Sequence, residues 1–267
     1  MANNINQLMK KIIIFGSDGE IGNFLSNNLV DTYDVVKASR NAGNPNYIDF
    51  SNRDSIKNFI KKNIDDKIYG IVNCYGIQKP INNFLDSNFE DWERNIIINF
   101  QNYSFFLHSL LNQNLPEFRK IVNFSGGGAT GPRKGFSAYA ISKISLYKLT
   151  EILAEELRSY KIDINIIAPG VIKSKMTKEI IDRGSDFDEE YLNALNVYKN
   201  GGNSKDNILS LCRLLLSRKS NGLSGKLISA QWDNFQEFNV DSLKNDYDLF
   251  NLRRIDNKFF TKKKDIQ

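Results

Sequence analysis

SGGGATGPRKGFSAYAISK, running from Ser125 to Lys143, joins a strand-like run to a long helical pattern. The run before it, Lys120–Phe124 (KIVNF), is short and mostly apolar, as a buried strand is. The pattern after it begins near Ser137 and carries Leu146, Leu149, Ile152, Leu153 and Leu157 to about residue 160. Tyr139 and Lys143 stand four residues apart, so both side chains project from one helix face. A phenol beside an ammonium is an acid–base device: the free phenol titrates near pH ~10, and a neighbouring positive charge pulls that value toward neutrality. Ser125, at the strand's end, can offer a hydroxyl to the same reacting oxygen. Tyr-x-x-x-Lys also arises by chance on surface helices, so the rest of the chain decides its meaning.

Toward the amino terminus, residues 11–15 (KIIIF) form a continuous apolar run, expected of a buried parallel strand. Gly16-Ser17-Asp18-Gly19-Glu20-Ile21-Gly22 follows at once, and Ile21, Phe24, Leu25, Leu29 and Val30 then mark one face of a helix. Strand, glycine turn and helix in that order predict a dinucleotide site, with a pyrophosphate on backbone N–H groups at the helix's positive end. The spacing is G-x-x-G-x-x-G rather than the commoner G-x-G-x-x-G. The second strand, residues 34–40, ends in Ser39-Arg40, where NAD-selective sites carry an acid for the ribose hydroxyls. An arginine fork suits a 2′-phosphate, so NADP(H) is expected, with NAD(H) the weaker alternative.

Residues 46–48 are predicted as a short third strand, 67–73 as a fourth, 120–124 as the fifth, 162–167 as a sixth and 225–229 as a last one. One long helix is expected over 89–115, with Asn99 in its middle, and another over 207–216. Residues 174–203 are polar and weakly periodic, which predicts a mobile excursion lidding a substrate site. The fold class is therefore α/β: a doubly wound, Rossmann-type parallel sheet of about seven strands with helices on both faces. A single domain spans residues 1–267, with its core at 10–230 and a carboxy-terminal extension at 231–267.

Composition narrows the function. Hydrophobic residues make up 41% of 267, enough for a sizeable core, and no apolar run reaches the roughly 18–20 residues that span a membrane. The opening MANNINQLMKK lacks a secretory pattern, and the two cysteines, Cys74 and Cys212, are far apart; a reducing cytoplasm is expected. With His108 the only histidine, no metal centre and no histidine triad is expected. The net charge of +5 comes partly from the tail at 258–264, read as a solvated end, so neither nucleic acid nor membrane is an expected partner.

These motifs, in this order, resemble the short-chain dehydrogenase/reductase family over most of residues 10–230. The resemblance implies a cofactor loop at Gly16, Ser17, Asp18, Gly19, Glu20, Ile21 and Gly22, and contacts to the adenosine end from Ser39, Arg40, Asp49 and Phe50. Asn73-Cys74-Tyr75-Gly76 stands where the family usually has Asn-Asn-Ala-Gly, which brings Asn73, Tyr75 and Gly76 to the cofactor. Pro169, Gly170, Val171, Ile172 and Ser174 resemble the segment that holds the nicotinamide amide. Asn99, Ser125, Tyr139 and Lys143 resemble the catalytic tetrad, with Tyr139 and Lys143 also meeting the cofactor. Two departures matter: Glu20 replaces a common glycine, and the family's serine lies thirteen residues before the tyrosine, a place held here by Gly126. A loop expanded by one residue would return the role to Ser125.

The activity implied is hydride transfer between the nicotinamide and a carbonyl or alcohol, in a homodimer or homotetramer paired through the long helices. The ending at 225–233 and 252–255 is similar to a subgroup tied to surface carbohydrates, which favours a sugar or nucleotide-sugar derivative as substrate. Arg253 and Arg254 are candidates for a substrate phosphate, a helix cap or an oligomer contact. Two alternatives stay open: a nucleotide-sugar epimerase or dehydratase, suggested by the glycine spacing, and a catalytically impaired NADP-binding protein.

Overall fold

Residues 9–184 and 188–254 are described by a computed structural model. Six parallel strands form one sheet in the order β2-β1-β3-β4-β5-β6. They are β1 (Lys10–Phe15), β2 (Tyr33–Ala38), β3 (Ile68–Asn73), β4 (Lys120–Phe124), β5 (Asp163–Ala168) and β6 (Leu227–Ser229). Helices α1 (Glu20–Asn28), α2 (Arg53–Asn63), α3 (Phe89–Ile96), α4 (Asn102–Leu111) and α5 (Ser137–Glu156) alternate with the strands, and α6 (Lys175–Arg183), α7 (Asp188–Asn200), α8 (Lys205–Leu216) and α9 (Val240–Leu243) follow.

The apolar runs are continuous because both sheet faces are covered. Ile12 and Ile14 enter a cluster with Leu25, Leu29, Ile208 and Leu215 on the α1/α8 face. Ile13 and Phe15 enter another with Phe59, Phe106, Leu146 and Tyr147 on the α2/α4/α5 face. The period of two along β1 sorts one strand between two cores. Below the sheet, the ammonium of Lys120 lies 2.7 Å from the Asp163 carboxylate and 3.1 Å from the Ser220 hydroxyl, nearly sealed from water.

Two expectations are corrected, and a third segment gains detail. Residues 46–48 form no strand: Tyr47 makes one parallel bridge to Ser39, while the Asn46 N–H is taken by the Asn44 side chain and the Asn46 side chain donates to the Lys37 carbonyl. The single helix over 89–115 ends at Leu111 and is broken by a π-turn at Ile97–Gln101, which contains Asn99. The excursion at 174–203 holds two helices, α6 and α7.

The carboxy-terminal extension straps the outside. Leu252 donates its backbone N–H to the Tyr147 hydroxyl at 2.8 Å, and Asn251 reaches Glu151 and the Gly225 carbonyl. Lys226 donates to the carbonyls of Asp246 and Leu249 and to Asn251, and the Leu227 N–H donates to the Phe250 carbonyl at 2.8 Å. The basic stretch 258–264 and Ile255 lie outside the described residues.

Candidate active site

Strand order reverses between β1 and β3, and in such sheets ligands sit at the carboxyl ends of the strands at that switch point. The glycine turn lies there. Gly16 has a φ of +72°, and a Cβ on it would come within 3.0 Å of the Tyr75 backbone; one on Gly22 would fall 2.1 Å from the Gly16 carbonyl. Only bare backbone lets α1 close on the β1 turn. Gly19 caps α1 without a side-chain bond, so the first N–H groups of the helix stay open to an anion. Glu20 turns aside to pair with Lys205 at 2.7 Å.

Two buried hydroxyls in this groove have no hydrogen-bond partner, Ser17 Oγ and Tyr75 Oη. A buried polar atom left unpaired costs free energy, so these atoms fit a bound polar ligand. Tyr75 packs its ring on Phe50 at 4.9 Å, and its hydroxyl feels the charges of Arg40, Asp49 and Arg94. Ser39 donates its hydroxyl to the Asp18 carboxylate at 2.7 Å. The orphaned hydroxyls, the uncapped helix and the glycine cradle together fit a dinucleotide, with Gly16–Gly22 at its pyrophosphate and Phe50 and Tyr75 at its adenosine end.

Asn99 lies on the π-turn, where the helix widening aims its side chain at the loop after β3. Its Oδ1 accepts from the Ile77 N–H at 2.8 Å; its Nδ2 donates to the Ile77 carbonyl at 2.7 Å and to Asn95 at 2.8 Å. A Cβ on Gly76 would stand 3.4 Å from Lys143 Nζ and 3.6 Å from Asn99 Oδ1, so this bare residue separates the two polar ends. Lys143 is buried and donates to the Phe124 carbonyl at 3.0 Å; burial pushes its ammonium down to about 8. Tyr139 is buried in a cluster with Ile81, Phe136, Ile180 and Ala194.

The tyrosine's titration differs from the expectation. Burial pushes the Tyr139 phenol up, opposed by the positive charge of Arg133. The Lys143 ammonium lies 5.7 Å from the ring centroid and donates to the Phe124 carbonyl. The phenol is thus held as a proton donor at neutral pH.

Gly126 lies against the phenol itself. A Cβ there would fall 2.1 Å from Tyr139 Oη, so the place thirteen residues before the tyrosine admits no side chain. Ser125, one residue earlier, is buried and anchored by its backbone N–H to the Ile167 carbonyl at 2.8 Å.

A family model described as "Enoyl-(Acyl carrier protein) reductase" matches residues 31–231. This chain belongs to the short-chain dehydrogenase/reductase family. The chain is 35% identical over 124 residues to a benzil reductase ((S)-benzoin forming) of Saccharomyces cerevisiae, covering 43% of this chain and 46% of that protein. It is 26% identical over 183 residues to a 3-oxoacyl-[acyl-carrier-protein] reductase of Rickettsia bellii, covering 68% and 70%. The match spans about half to two thirds of the first curated relatives' length. Among solved structures, levodione reductase superposes with a TM-score of 0.72 at 16% identity, covering 82% of this chain and 95% of that one, a likeness of fold.

Helices α6 and α7 pack over Tyr139 through Ile180 and Ala194. Gln78 donates to the Met176 carbonyl and to Glu179; Arg183 donates to the Ile81 carbonyl at 3.1 Å; Arg133 pairs with Glu190 of α7. A cavity of about 500 Å³ runs alongside, lined by Arg40, Ile77, Lys79, Arg94, Ile98 and Arg183 among others, and Ser125, Tyr139 and Lys143 do not line it.

The segment from Pro169 to Ser174 is held by its neighbours. The Val171 N–H and carbonyl are both taken by Asn203, at 2.7 and 2.8 Å, the Ile172 carbonyl accepts from Thr177, and Ser174 caps α6. Gly170 is hemmed by Asn203 and Gln231, and Gln231 donates to the Pro169 carbonyl. Arg253 is bound to Glu151 and the Tyr247 carbonyl on the strap. Sequence reasoning did not find Arg133, Glu190 or Gln78. The Pro-Arg pair inside the glycine loop was the visible signal for Arg133.

Proposed function

We propose that this chain transfers hydride between a nicotinamide cofactor and the carbonyl or alcohol carbon of a small molecule. NADP(H) is the preferred form and NAD(H) the weaker alternative. The observation that carries the reading is the buried Tyr139–Lys143 pair at the end of β4, one strand from the switch-point groove with its orphaned hydroxyls. The bound cofactor supplies the hydride.

The chain's residues supply protons and alignment. Tyr139, kept protonated by burial, donates to the oxygen that gains negative charge on reduction. The Ser125 hydroxyl steadies the same oxygen, and Lys143 places a positive charge behind the phenol and a donor at the cofactor's ribose. Asn99 holds the loop after β3 against Lys143 and relays protons to it through water. Asn73, Tyr75 and Gly76 on one side and Pro169 to Ser174 on the other align the cofactor. A homodimer or homotetramer is supported by Ile141 and Ile152, large apolar side chains left exposed on α5.

The NADP(H) preference rests on Arg40, exposed at the end of β2 and sharing a cavity wall with Arg94. The NAD(H) reading draws support from Asp18, whose carboxylate is fixed on Ser39 and repels a 2′-phosphate. Calorimetric titration decides: Arg40→Ala should weaken NADPH far more than NADH, and equal losses overturn the preference. Turnover is tested with benzil and with nucleotide sugars. Loss of nicotinamide absorbance with any of them supports reduction. A sugar converted with the cofactor unchanged points to an epimerase, and cofactor binding without turnover points to an impaired binder.

A further inference from the structure

Arg133 leaves the glycine loop and folds back over it. A Cβ on Gly127 would lie 3.1 Å from its Nη1 and 3.3 Å from its Cζ, so the guanidinium rests on bare backbone. The preceding residue, Gly126, is the one pressed against the Tyr139 hydroxyl. On its other side the guanidinium stacks 3.7 Å from the centroid of Phe136, which belongs to the same buried cluster as Tyr139. The cation is thus built into the wall around the phenol.

Its fork is filled from the lid. Nε lies 2.8 Å from Glu190 Oε1 and Nη2 2.6 Å from Oε2, two parallel bonds of the kind an arginine forms with a planar carboxylate. Glu190 stands in the first turn of α7, which together with α6 covers Tyr139 through Ala194 and Ile180. The two side chains are 15% and 29% exposed, so solvent reaches the pair from the lid side. An ion pair in this setting adds little to stability over apolar packing. Its geometry is that of a recognition site holding an internal ligand.

We propose that Arg133 anchors the carboxylate of an oxo-acid or hydroxy-acid substrate, and that Glu190 holds this anchor until such a substrate displaces it. This deepens the proposed activity and rests on it for the placement of the reacting carbon near Tyr139. It makes the substrate an acid whose carbonyl lies a few bonds from the carboxylate, and it makes lid opening a consequence of carboxylate exchange.

The test is calorimetric binding of pyruvate, acetoacetate and levulinate, each against its methyl ester, to the full chain. At least one acid should bind more tightly than its ester by about 10–100-fold, the scale of a charge-assisted bond. Glu190→Gln removes the internal competitor with little change of shape and should tighten that acid further while leaving its ester alone. Arg133→Met should erase the difference. Arg133→Lys, which keeps the charge and loses the fork, should retain part of it and serves if the methionine variant melts early. No acid preferred over its ester, in the parent and in Glu190→Gln alike, overturns the proposal, as does a preference that survives Arg133→Met. So does Glu190→Gln weakening acid binding. Binding needs no turnover, so these outcomes stand apart from a failure of hydride transfer.

Discussion

Placing a serine at position 126 should damage this protein, although it would recreate the family's spacing. A Cβ at Gly126 would lie 2.1 Å from Tyr139 Oη, 2.6 Å from Cζ and 2.7 Å from Cε1, where ordinary contact begins at 3.4 Å. The phenol must retreat by roughly 1.3 Å, the shortfall at its oxygen. It has nowhere easy to go, because Ile81, Phe136, Ile180 and Ala194 close its other sides. Overpacking of a buried site costs about 1–3 kcal/mol. At roughly 2–4 °C per kcal/mol for a chain of this size, Gly126→Ala and Gly126→Ser should melt a few degrees early. The kinetic cost is larger, since displacing a reacting group by ~1 Å lowers the rate on the order of 10²-fold. Thermal unfolding and steady-state kcat on any carbonyl the chain reduces are the assays. A Gly126→Ser variant whose kcat stays within threefold of the parent would refute the geometry and hand the serine's role to position 126.

Ser125→Ala should cost about 10²–10³ in kcat, the scale of one transition-state donor, and Tyr139→Phe at least as much with cofactor binding kept; a silent Ser125→Ala removes that serine from the mechanism. Lys143 loses its proton through about pH 8 in the folded chain, well below an unfolded lysine at ~10.4, so the unfolded state binds more protons in that window and stability rises with pH across it. The same loss of charge should bring kcat/KM for reduction down above about pH 8, and Lys143→Arg, which keeps its charge, should remove that limb from the pH profile. Asp163→Ala strands the buried Lys120 ammonium and should cost about 3–5 kcal/mol in denaturant unfolding, while a joint change of both to apolar residues should recover most of it.

The sheet was legible because its signal is local. Residues 12–15, 68–73 and 120–124 are buried on both faces, and unbroken apolar runs are what such strands require. Residues 46–48 misled because Tyr47 and Ile48 imitate a strand, while pairing depends on neighbours that asparagine side chains divert. The π-turn was invisible for a related reason: it exists because Asn95 and Asn99 grip the Ile77 carbonyl from across the fold. Within the site, Tyr139 and Lys143 declared themselves by spacing. The proton affinity of Tyr139 did not, because burial outweighs the opposing charge of Arg133. Nor could the sequence pair Arg133 with Glu190, which are 57 residues apart.

The strap at 246–252 has a bearing on how the chain tolerates being cut or fused. β6 is three residues long and forms the border of the sheet, and a border strand with free N–H and carbonyl groups invites another chain to pair with it. Here Phe250 occupies that position by accepting the Leu227 N–H, and it does so at a φ of +59°, a conformation a bulky residue adopts only under constraint. The constraint comes from its ring, packed 4.8 Å from Phe238, and from the neighbouring Asn251 and Leu252 bonds to Gly225 and Tyr147. A chain ended before Tyr247 would keep every residue of the site and expose a sticky margin. Its fate should be self-association, seen as light scattering that grows with concentration, while the candidate site residues remain in place.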